Sequence, residues 1–180
     1  MEDAIESLEQ LAKAVKQKNI IDDEIADIIG RPAERGHTGE YIASRVFGIR
    51  LERSASHKGI DGHFASGNLV GKTVNIKWYG KWDGLLDINP KTLPDFYLVM
   101  TGSKAGATSS RGTTRPWMVS HVFLFEAHRL LVKLEGRGIK IGVATSVAEG
   151  LWREAEVYPA QWNSRLVISE EQKRLLALFG

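Results

Sequence analysis

The chain has 180 residues, a formal net charge of +2 and no cysteine. The lack of cysteine excludes disulfide frameworks and thiolate metal sites, and it fits a reducing, cytoplasmic compartment. No apolar run approaches the length of a membrane span, and the acidic N-terminus is unlike a signal peptide. Because the net charge is small, any affinity for nucleic acid must come from local basic patches.

Two amphipathic helices are predicted at the N-terminus. Apolar residues recur at helical spacing within residues 2–18, and a second helix is predicted to follow Asp22, which can cap it. Gly30 ends this second helix ahead of Pro32. Such helices can be a dimerisation or DNA-contacting appendage, but packing on the core is commoner and is the arrangement expected here.

A third helix and a first strand are predicted next. Residues 39–47 have apolar side chains at helical spacing, and Gly48 follows as a stop signal. Glu40 is expected in the first helical turn, where the helix dipole favours a carboxylate; the alternative is a role at a metal. Residues 49–53 are predicted to form the first strand, and residues 54–58 a polar turn.

The stretch 59–80 is predicted to form two strands and a turn. Apolar and polar residues alternate along both runs, which is typical of half-buried strands. The residues on the apolar edge are Ile60, Gly62, Phe64, Val74, Ile76 and Trp78. Gly67 and Asn68 supply turn chemistry between the two runs.

The hydrophobic pattern also predicts which polar residues of this hairpin come together. In an antiparallel pair, opposed residues share a face, and a slip of one residue exchanges the faces. Ile60 opposite Ile76 therefore places Asp61 opposite Asn75 and next to Lys77. This register requires an odd loop or a bulge, and it predicts a polar cluster on one face.

A loop, a buried strand and a longer loop are predicted after the hairpin. The first loop has one helical turn at Leu85 and Leu86. Residues 95–100 form a continuous apolar run, which is typical of a strand buried on both faces. Residues 103–116 form a polar loop of a length that is usually functional or disordered.

Basic residues in these loops are candidates for contacts with DNA phosphates, because Lys and Arg among Ser, Thr and Gly are typical of such contacts. The candidates are Lys81, Lys104, Arg111, Arg115 and, from the hairpin, His63. The alternative for the long loop is a solvated segment with scattered cations. For His63 the alternatives are a metal ligand and, preferred, a hydrogen-bonded neighbour of Asp61.

The C-terminal elements complete an α/β pattern with helices on both sides of a mixed sheet. In chain order they are a strand over 117–119, a helix capped by Ser120, a strand over 139–143, a helix opened by a capping box at 146–149, and a last helix capped by Ser169.

The hairpin resembles the signature of the PD-(D/E)xK phosphodiesterase superfamily, the fold of many restriction endonucleases. The matching residues are Gly59-Ile60-Asp61-Gly62 and Asn75-Ile76-Lys77, with Gly39-Glu40 at an additional acidic position. The predicted order of helix, three strands, helix and strand agrees with that family over about residues 34–145. Asn75 departs from the pattern, which usually has Glu or Asp there.

The resemblance implies a restriction-endonuclease-like fold, in which helices flank a mixed central sheet and an N-terminal helical extension is added. By its length the chain forms a single domain. We divide it into an N-terminal helical appendage (1–33), a nuclease-like core (34–145) and a C-terminal helical extension (146–180).

The resemblance also implies a site for Mg²⁺ or Mn²⁺. Asp61 would be the anchor ligand, and the Ile76 carbonyl, the Asn75 amide oxygen and Glu40 would supply further oxygens. Lys77 would orient the attacking water or stabilise the developing negative charge. Because an amide oxygen is a weaker ligand than a carboxylate, weaker metal binding is expected, with Glu40 as the compensating ligand.

The resemblance therefore implies a metal-dependent DNA endonuclease of the type II restriction-enzyme kind, which would hydrolyse double-stranded DNA and can act as a homodimer. The alternative on the same fold is a catalytically degenerate DNA-binding protein, with Asn75 as the lesion. A third interpretation is an α/β protein in which Asp61 and Lys77 form only a structural ion pair.

Overall fold

A six-stranded mixed sheet with helices on both faces forms the centre of the protein. The computed structural model describes residues 2–52, 59–105 and 115–180. The helices are α1 (Glu2–Ile29), α2 (Arg35–Phe47), α3 (Ala127–Glu135), α4 (Glu149–Ala155) and α5 (Glu170–Ala177). The strands are β1 (Ile49–Leu51), β2 (Gly62–Phe64), β3 (Thr73–Tyr79), β4 (Leu85–Leu86), β5 (Phe96–Thr101), β6 (His121–Glu126), β7 (Thr145–Ser146) and β8 (Glu156–Tyr158).

The sheet has the order β1-β2-β3-β5-β6-β8, in which only β3 and β5 are parallel neighbours. Strands β4 and β7 form a separate antiparallel pair. This arrangement confirms the predicted α/β class with a mixed sheet flanked by helices. The predicted order of helix, three strands, helix and strand is wrong, because β5 and β6 both precede α3.

Strand β5 lies between two hydrophobic cores. Phe96, Leu98 and Met100 enter the core that includes residues of α2 and α5. Tyr97 and Val99 enter the core that includes residues of α3 and α4. Every residue of β5 is buried, so the predicted strand covered on both faces is confirmed.

Helix α2 packs on the core face of β3. Its buried residues are Gly39, Ile42, Ala43, Val46 and Phe47. The helix ends at Gly48, whose φ of 63° is a left-handed conformation that glycine adopts without steric cost, as predicted. The helix begins at Arg35, so the prediction of Glu40 in the first turn is wrong; Glu40 lies in the second turn.

Helix α1 is one continuous helix of 28 residues, and the prediction of two helices is therefore wrong. Asp22 does not begin a new helix but lies inside α1, where its carboxylate pairs with Lys18 one turn earlier. Gly30 follows the helix at a φ of 70°, as predicted. Only the C-terminal end of α1 contacts α2, and most of the expected packing on the core is not found.

Pairing between distant segments overrides the local pattern at two places. Leu85 and Leu86 form β4, not a helical turn, because they pair with β7. The predicted helix after Ser120 is also wrong in its first part, since residues 121–126 form β6 and pair with β5 along their whole length. A continuous apolar run such as this one does not distinguish a strand from a buried helix by periodicity.

The C-terminal part confirms some predictions and corrects others. Residues 117–119 and 139–143, all within the described chain, form no strand. A helix forms here as predicted, but it begins at Glu149, two residues later than a Ser146 cap implies; the capping box is absent, since Ser146 belongs to β7 and the N-cap residue Ala148 makes no side-chain cap. The capping box of α5 is confirmed: Ser169 Oγ accepts the Gln172 amide at 3.2 Å and Gln172 Oε1 accepts the Ser169 amide at 2.8 Å.

The segment after residue 145 also adds a strand to the sheet, because β8 pairs with β6 at the edge. None of the helices in the described part of the chain combines the length and the apolar composition needed to cross a membrane. Arg53, at the end of the predicted first strand, and the predicted turn over residues 54–58 lie outside the described residues.

Candidate active site where β2 and β3 part

The β2–β3 hairpin has the predicted register. Gly62 pairs with Val74 and His63 with Thr73, so continuing this register brings Asp61 opposite Asn75. The Asp61 amide donates to the Val74 carbonyl at 2.9 Å. Since β2 begins at Gly62, the part of β3 after Val74 extends beyond the paired strand.

The backbone of β3 explains why the Asp61 carboxylate lies at this point. The carbonyls of Lys72 and Val74 both accept hydrogen bonds from the β2 side. Backbone groups alternate along a strand, so the N–H and C=O of Ile76 point to the same side. Asp61 Oδ2 accepts the Ile76 N–H at 2.6 Å, and the carboxylate thus replaces the backbone acceptor that a longer β2 would supply.

The two faces of the hairpin differ in chemistry, as the alternating pattern predicts. Phe64, Val74 and Ile76 belong to the core beneath α2. By alternation, Asn75 and Lys77 lie on the opposite face of β3. The Lys77 ammonium is 5.9 Å from the centroid of the Tyr97 ring, and this ring belongs to the other core.

The carboxyl group of Asp61 is in an environment that disfavours its ionised form. Burial raises the pKa of Asp61 above its usual value, and the nearby negative charge of Glu40 raises it further. The Ile76 N–H, and the positive charges of Lys77 and Arg31, act in the opposite direction. The structure therefore brings Asp61, Lys77 and Glu40 into one electrostatic cluster.

The environment of Lys77 likewise disfavours its ionised form. Burial lowers the pKa of Lys77 below its usual value, while the charges of Asp87 and Asp61 act to raise it. Lys77 is thus a half-desolvated cation between two carboxylates.

Asp87 is a residue of this cluster that sequence reasoning missed. Its Oδ1 accepts the Ala144 amide at 2.7 Å, and its Oδ2 accepts the Tyr79 hydroxyl at 3.3 Å. Its own amide donates to the Tyr79 oxygen at 3.1 Å. The signal in the sequence is the polar Asp87 between the buried Leu86 and Ile88, but its place depends on the β4–β7 pairing.

Asn75 is buried, and its amide oxygen accepts no hydrogen bond from any residue that the structure describes. A buried acceptor without a partner costs free energy, about 1–3 kcal/mol in typical proteins. A cation or a water molecule would satisfy this oxygen. The unsatisfied amide is thus consistent with the predicted role of Asn75 as a metal ligand.

The oxygen donors near Asp61 fit a hard divalent cation with few protein ligands. Among the described residues, no three His, Cys, Asp or Glu side chains are grouped to hold a metal ion. A cation here would instead rely on the carboxylates of Asp61 and Glu40, the Asn75 amide oxygen and the Ile76 carbonyl. Mg²⁺ suits such a site because it retains several of its water ligands.

Glu40 already has a partner in this structure. Its Oε2 accepts a hydrogen bond from Arg31 Nη1 at 2.5 Å, and its side chain is only 19% exposed. Arg31 lies in the segment between α1 and α2. A cation that binds Glu40 would therefore compete with a guanidinium group for the same carboxylate.

Three of the predicted DNA-contacting cations lie at one end of the sheet, near the C-terminal ends of β3 and β5. The ends are adjacent, since the Gly102 amide donates to the Tyr79 carbonyl at 3.1 Å. Lys81 pairs with Asp83 at 3.3 Å, and Lys104 pairs with Glu149 at 2.6 Å. Arg115 reaches the same end through its carbonyl, which accepts a bond from Arg35 beside Gly80.

The other two candidates are not in this group. His63 lies opposite Thr73, at the N-terminal end of β3, and its Nδ1 is 3.6 Å from the Glu52 carboxylate. The nearest carboxylate to this imidazole is thus that of Glu52, and the prediction that His63 is a hydrogen-bonded neighbour of Asp61 is wrong. Arg111 falls outside the described residues.

No model of a known protein family matches this chain, and no curated protein matches it. The functional argument therefore depends on the geometry of the described residues. That geometry joins a half-buried carboxylate, a half-buried lysine and an unsatisfied amide oxygen at one opening of the sheet.

Proposed function

We propose that this protein is a metal-dependent endonuclease that hydrolyses phosphodiester bonds in double-stranded DNA, with Mg²⁺ or Mn²⁺ as the cofactor. The observation that carries this proposal is the Asp61 carboxylate bound to the Ile76 amide beside the half-buried Lys77. The finer fold assignment, a restriction-endonuclease-like core of the PD-(D/E)xK type, is part of the same proposal. Its support is the carboxylate immediately before β2 and the lysine on the neighbouring β3 of a mixed sheet.

The residues of the chain have distinct roles in this proposal. A bound divalent cation would offset negative charge on the phosphate and lower the pKa of a ligand water. Asp61, Asn75, Glu40 and the Ile76 carbonyl would hold the cation at the opening of the hairpin. Lys77 orients the attacking water or stabilises charge that develops on the phosphate oxygens. The negative charge of Asp87 raises the pKa of Lys77, which burial lowers, and so favours the protonated amine.

Plasmid cleavage tests this proposal. Supercoiled DNA should be nicked or linearised by the wild-type protein with Mg²⁺ or Mn²⁺ and not with a chelator. Asp61→Asn should reduce the cleavage rate at least about a thousandfold, because it removes the anchor carboxylate. Asp23→Asn, at an exposed position on α1, is the matched control and should cleave at the wild-type rate. Equal activity of the two variants would reject the proposed site.

A catalytically degenerate DNA-binding protein is the second candidate, and two observations favour it. Asn75 supplies an amide where a carboxylate would bind a cation more tightly, and Glu40 is paired with Arg31. In this case the wild-type protein should shift DNA in a salt-dependent manner but leave plasmid intact with either metal. A protein that neither cleaves nor binds DNA would contradict both candidates.

A further inference from the structure

A cavity lies at the basic end of the sheet, beside Trp82 and Trp152. Its volume is about 220 Å³, and its walls are formed by residues 82–84, residues 104 and 105, and residues in and just before α4. Pockets for drug-sized ligands usually exceed about 300 Å³, so this cavity suits a smaller ligand with a single ring system. We refer to it as the Trp82 cavity.

Backbone hydrogen bonds fix the walls of the Trp82 cavity. The Trp82 amide donates to the Ser103 carbonyl at 3.1 Å, and the Ala105 amide donates to the Trp82 carbonyl at 3.0 Å. On another wall, the Val147 amide donates to the Gly84 carbonyl at 2.9 Å. The cavity is therefore preformed, and a ligand would not have to order its walls on binding.

Trp152 supplies the Trp82 cavity with a hydrogen-bond donor that has no acceptor. This side chain lines the cavity, is only 1% exposed, and its indole Nε1–H meets no acceptor among the residues that the structure describes. Buried donors without a partner are rare in folded proteins, because each one costs free energy. An acceptor atom of a ligand in the cavity would satisfy this donor.

The other side chains of the Trp82 cavity combine an aromatic face with an ion pair. The Lys104 ammonium lies 4.9 Å from the centroid of the half-buried Trp82 ring. It also donates to Glu149 Oε1 at 2.6 Å, and both members of this pair are mostly exposed. A flat ring that displaced Lys104 from the Trp82 face would gain stacking, and it would release the ammonium to contact a phosphate. The Glu149 carboxylate could then accept a hydrogen bond from an amino group of the ligand.

We propose that the Trp82 cavity binds one nucleobase that has left the stack of the DNA substrate. A nucleobase has a flat face for Trp82, acceptor atoms for the Trp152 N–H and, in adenine, cytosine and guanine, an amino group for Glu149. Enzymes that bind an unstacked base use this combination of aromatic contact and hydrogen bonds to the edge of the base. The inference rests on the proposed nuclease function, because it takes DNA as the source of the base.

The position of the Trp82 cavity agrees with this role. Gly84, on its wall, is three residues before Asp87, whose charge acts on Lys77. Three extended residues span at most about 10 Å, which is the length of about three base pairs of B-DNA. A base in the cavity and a phosphate at the proposed catalytic cluster can therefore belong to one short stretch of a duplex.

Titration with deoxynucleosides tests the Trp82 cavity without DNA or cleavage. In nitrogen–proton correlation spectra, each of the five tryptophans gives one indole N–H signal. Millimolar deoxyadenosine should move the signals of Trp82 and Trp152 to saturation, with that of Trp152 moving downfield as its N–H gains an acceptor. Trp162, which is 65% exposed and outside the cavity, reports non-specific stacking and should show no saturable shift. If no common deoxynucleoside shifted the Trp152 signal in a saturable manner, the proposal would be overturned.

The variant Glu149→Ala tests the contact with the amino group. It should weaken the binding of deoxyadenosine about tenfold, because a hydrogen bond to a charged acceptor is lost. Binding of thymidine, which has no amino group, should be unchanged. Glu170→Ala removes another exposed glutamate that is paired with a lysine, and it should alter neither affinity. Equal weakening of both nucleosides by Glu149→Ala would exclude this carboxylate as a contact of the base.

A duplex with one mismatched base pair tests the Trp82 cavity in DNA, since a mispaired base leaves the stack at the lowest cost. The wild type should bind it about tenfold more tightly than the matching paired duplex, as measured by fluorescence anisotropy. Trp82→Ala should bind both duplexes equally, whereas Trp162→Ala should keep the preference. Circular dichroism checks the fold of Trp82→Ala. If that variant did not fold, the exposed Glu149→Ala should show the same loss of preference for a duplex with a mispaired adenine.

The same measurement separates this inference from the proposed nuclease function. A wild-type protein that binds both duplexes with equal affinity would overturn the role of the Trp82 cavity and leave the nuclease proposal intact. A wild-type protein that binds neither duplex would contradict the nuclease proposal, and with it the DNA base as the ligand of the cavity.

Discussion

At the scale of single residues, burial and neighbouring charges act in opposite directions on the pKa values of Asp61 and Lys77. Asp61 and Lys77 are both driven toward their neutral forms by desolvation, and each is partly restored by the other. Asn75 adds an unsatisfied oxygen but no charge. The balance is sensitive to one added or removed carboxylate, and three predictions follow from this sensitivity.

Replacing Asn75 with Asp should tighten binding of Mg²⁺ about tenfold, because a charged oxygen is a better ligand for a hard cation than an amide oxygen. Without metal, the additional buried carboxylate beside Asp61 should lower the free energy of unfolding by about 2 kcal/mol. Calorimetric titration and denaturant unfolding measure the two effects. Asn19→Asp, at an exposed site on α1, should change neither. Metal affinity that is indifferent to Asn75→Asp would remove this residue from the ligand set.

Replacing Asp61 with Asn should raise the free energy of unfolding at neutral pH, although it removes the proposed anchor ligand. The raised pKa of Asp61 means that its ionised form is less favourable in the folded state than in the unfolded chain. The gain should shrink as the pH falls through the pKa of this carboxyl, because the wild-type group then becomes neutral too. Denaturant unfolding at several pH values, without metal, measures it. A loss of stability at neutral pH would mean that the charged carboxylate stabilises the fold.

Replacing Asp87 with Asn should lower the pKa of Lys77 further, since the charge of Asp87 is the larger of the two that raise it. The amide can still accept the bond from Ala144, so the loop should keep its conformation. Nuclear magnetic resonance titration of the Lys77 side chain reports this pKa without any need for activity. Asp83→Asn, which removes a carboxylate paired with Lys81, is the control and should leave Lys77 unchanged. If Lys77 had the same pKa in the wild type and in Asp87→Asn, the charge of Asp87 would have no influence on Lys77.

At the scale of elements, local sequence predicts helix ends better than it predicts strands. Gly48 ends α2 as its position suggests, because only a residue without a Cβ atom adopts the left-handed conformation at low cost. Strand β4 escaped prediction because its two residues become a strand only by pairing with β7. The strand β6 was missed for a related reason, since its partner β5 decides its conformation and not its own periodicity.

The same division applies to the candidate site. The register that brings Asp61 opposite Asn75 follows from alternation within one hairpin and is therefore visible in the sequence. The contribution of Asp87 is not visible, because it depends on contacts with Tyr79 and Ala144. The pairing of Glu40 with Arg31 is likewise set by the turn between α1 and α2.

Gly48 allows a prediction at this scale. Gly48→Ala should lower the free energy of unfolding by about 1 kcal/mol, because its φ is 63° and an added Cβ would lie 3.0 Å from Ser66 Oγ. Gly150→Ala is the matched control, since it lies within α4 and an added Cβ would meet nothing within 4 Å. This second change should be neutral or stabilising. Denaturant unfolding measures the free energy of unfolding of both variants. If the two changes had equal effects, a side chain at position 48 would cause no strain at the end of α2.

At the scale of the whole molecule, the proposed catalytic cluster and the basic end of the sheet lie along the same strand. From Ile76 to Gly80 the chain rises about 13 Å, at about 3.3 Å per residue. The major groove of DNA is about 12 Å wide, so one duplex can reach both places. The basic end has a further feature: burial and the charge of Arg115 both lower the pKa of Arg35. The two guanidinium groups repel each other, and a phosphate group bound between them would offset this repulsion.

Replacing Arg115 with Ala should therefore weaken binding of double-stranded DNA and reduce its dependence on salt. Each lost phosphate contact should lower the slope of log affinity against log salt concentration by about one. The hydrogen bond from Arg35 to the backbone carbonyl of residue 115 does not need the Arg115 side chain, so the local structure should persist. Arg137→Ala, at an exposed site after α3, removes the same charge elsewhere and should leave the slope unchanged. Fluorescence anisotropy over a range of salt concentrations measures both slopes. If Arg115→Ala and Arg137→Ala had the same slope as the wild type, DNA would bind to a different surface, and the basic end of the sheet would have no part in it.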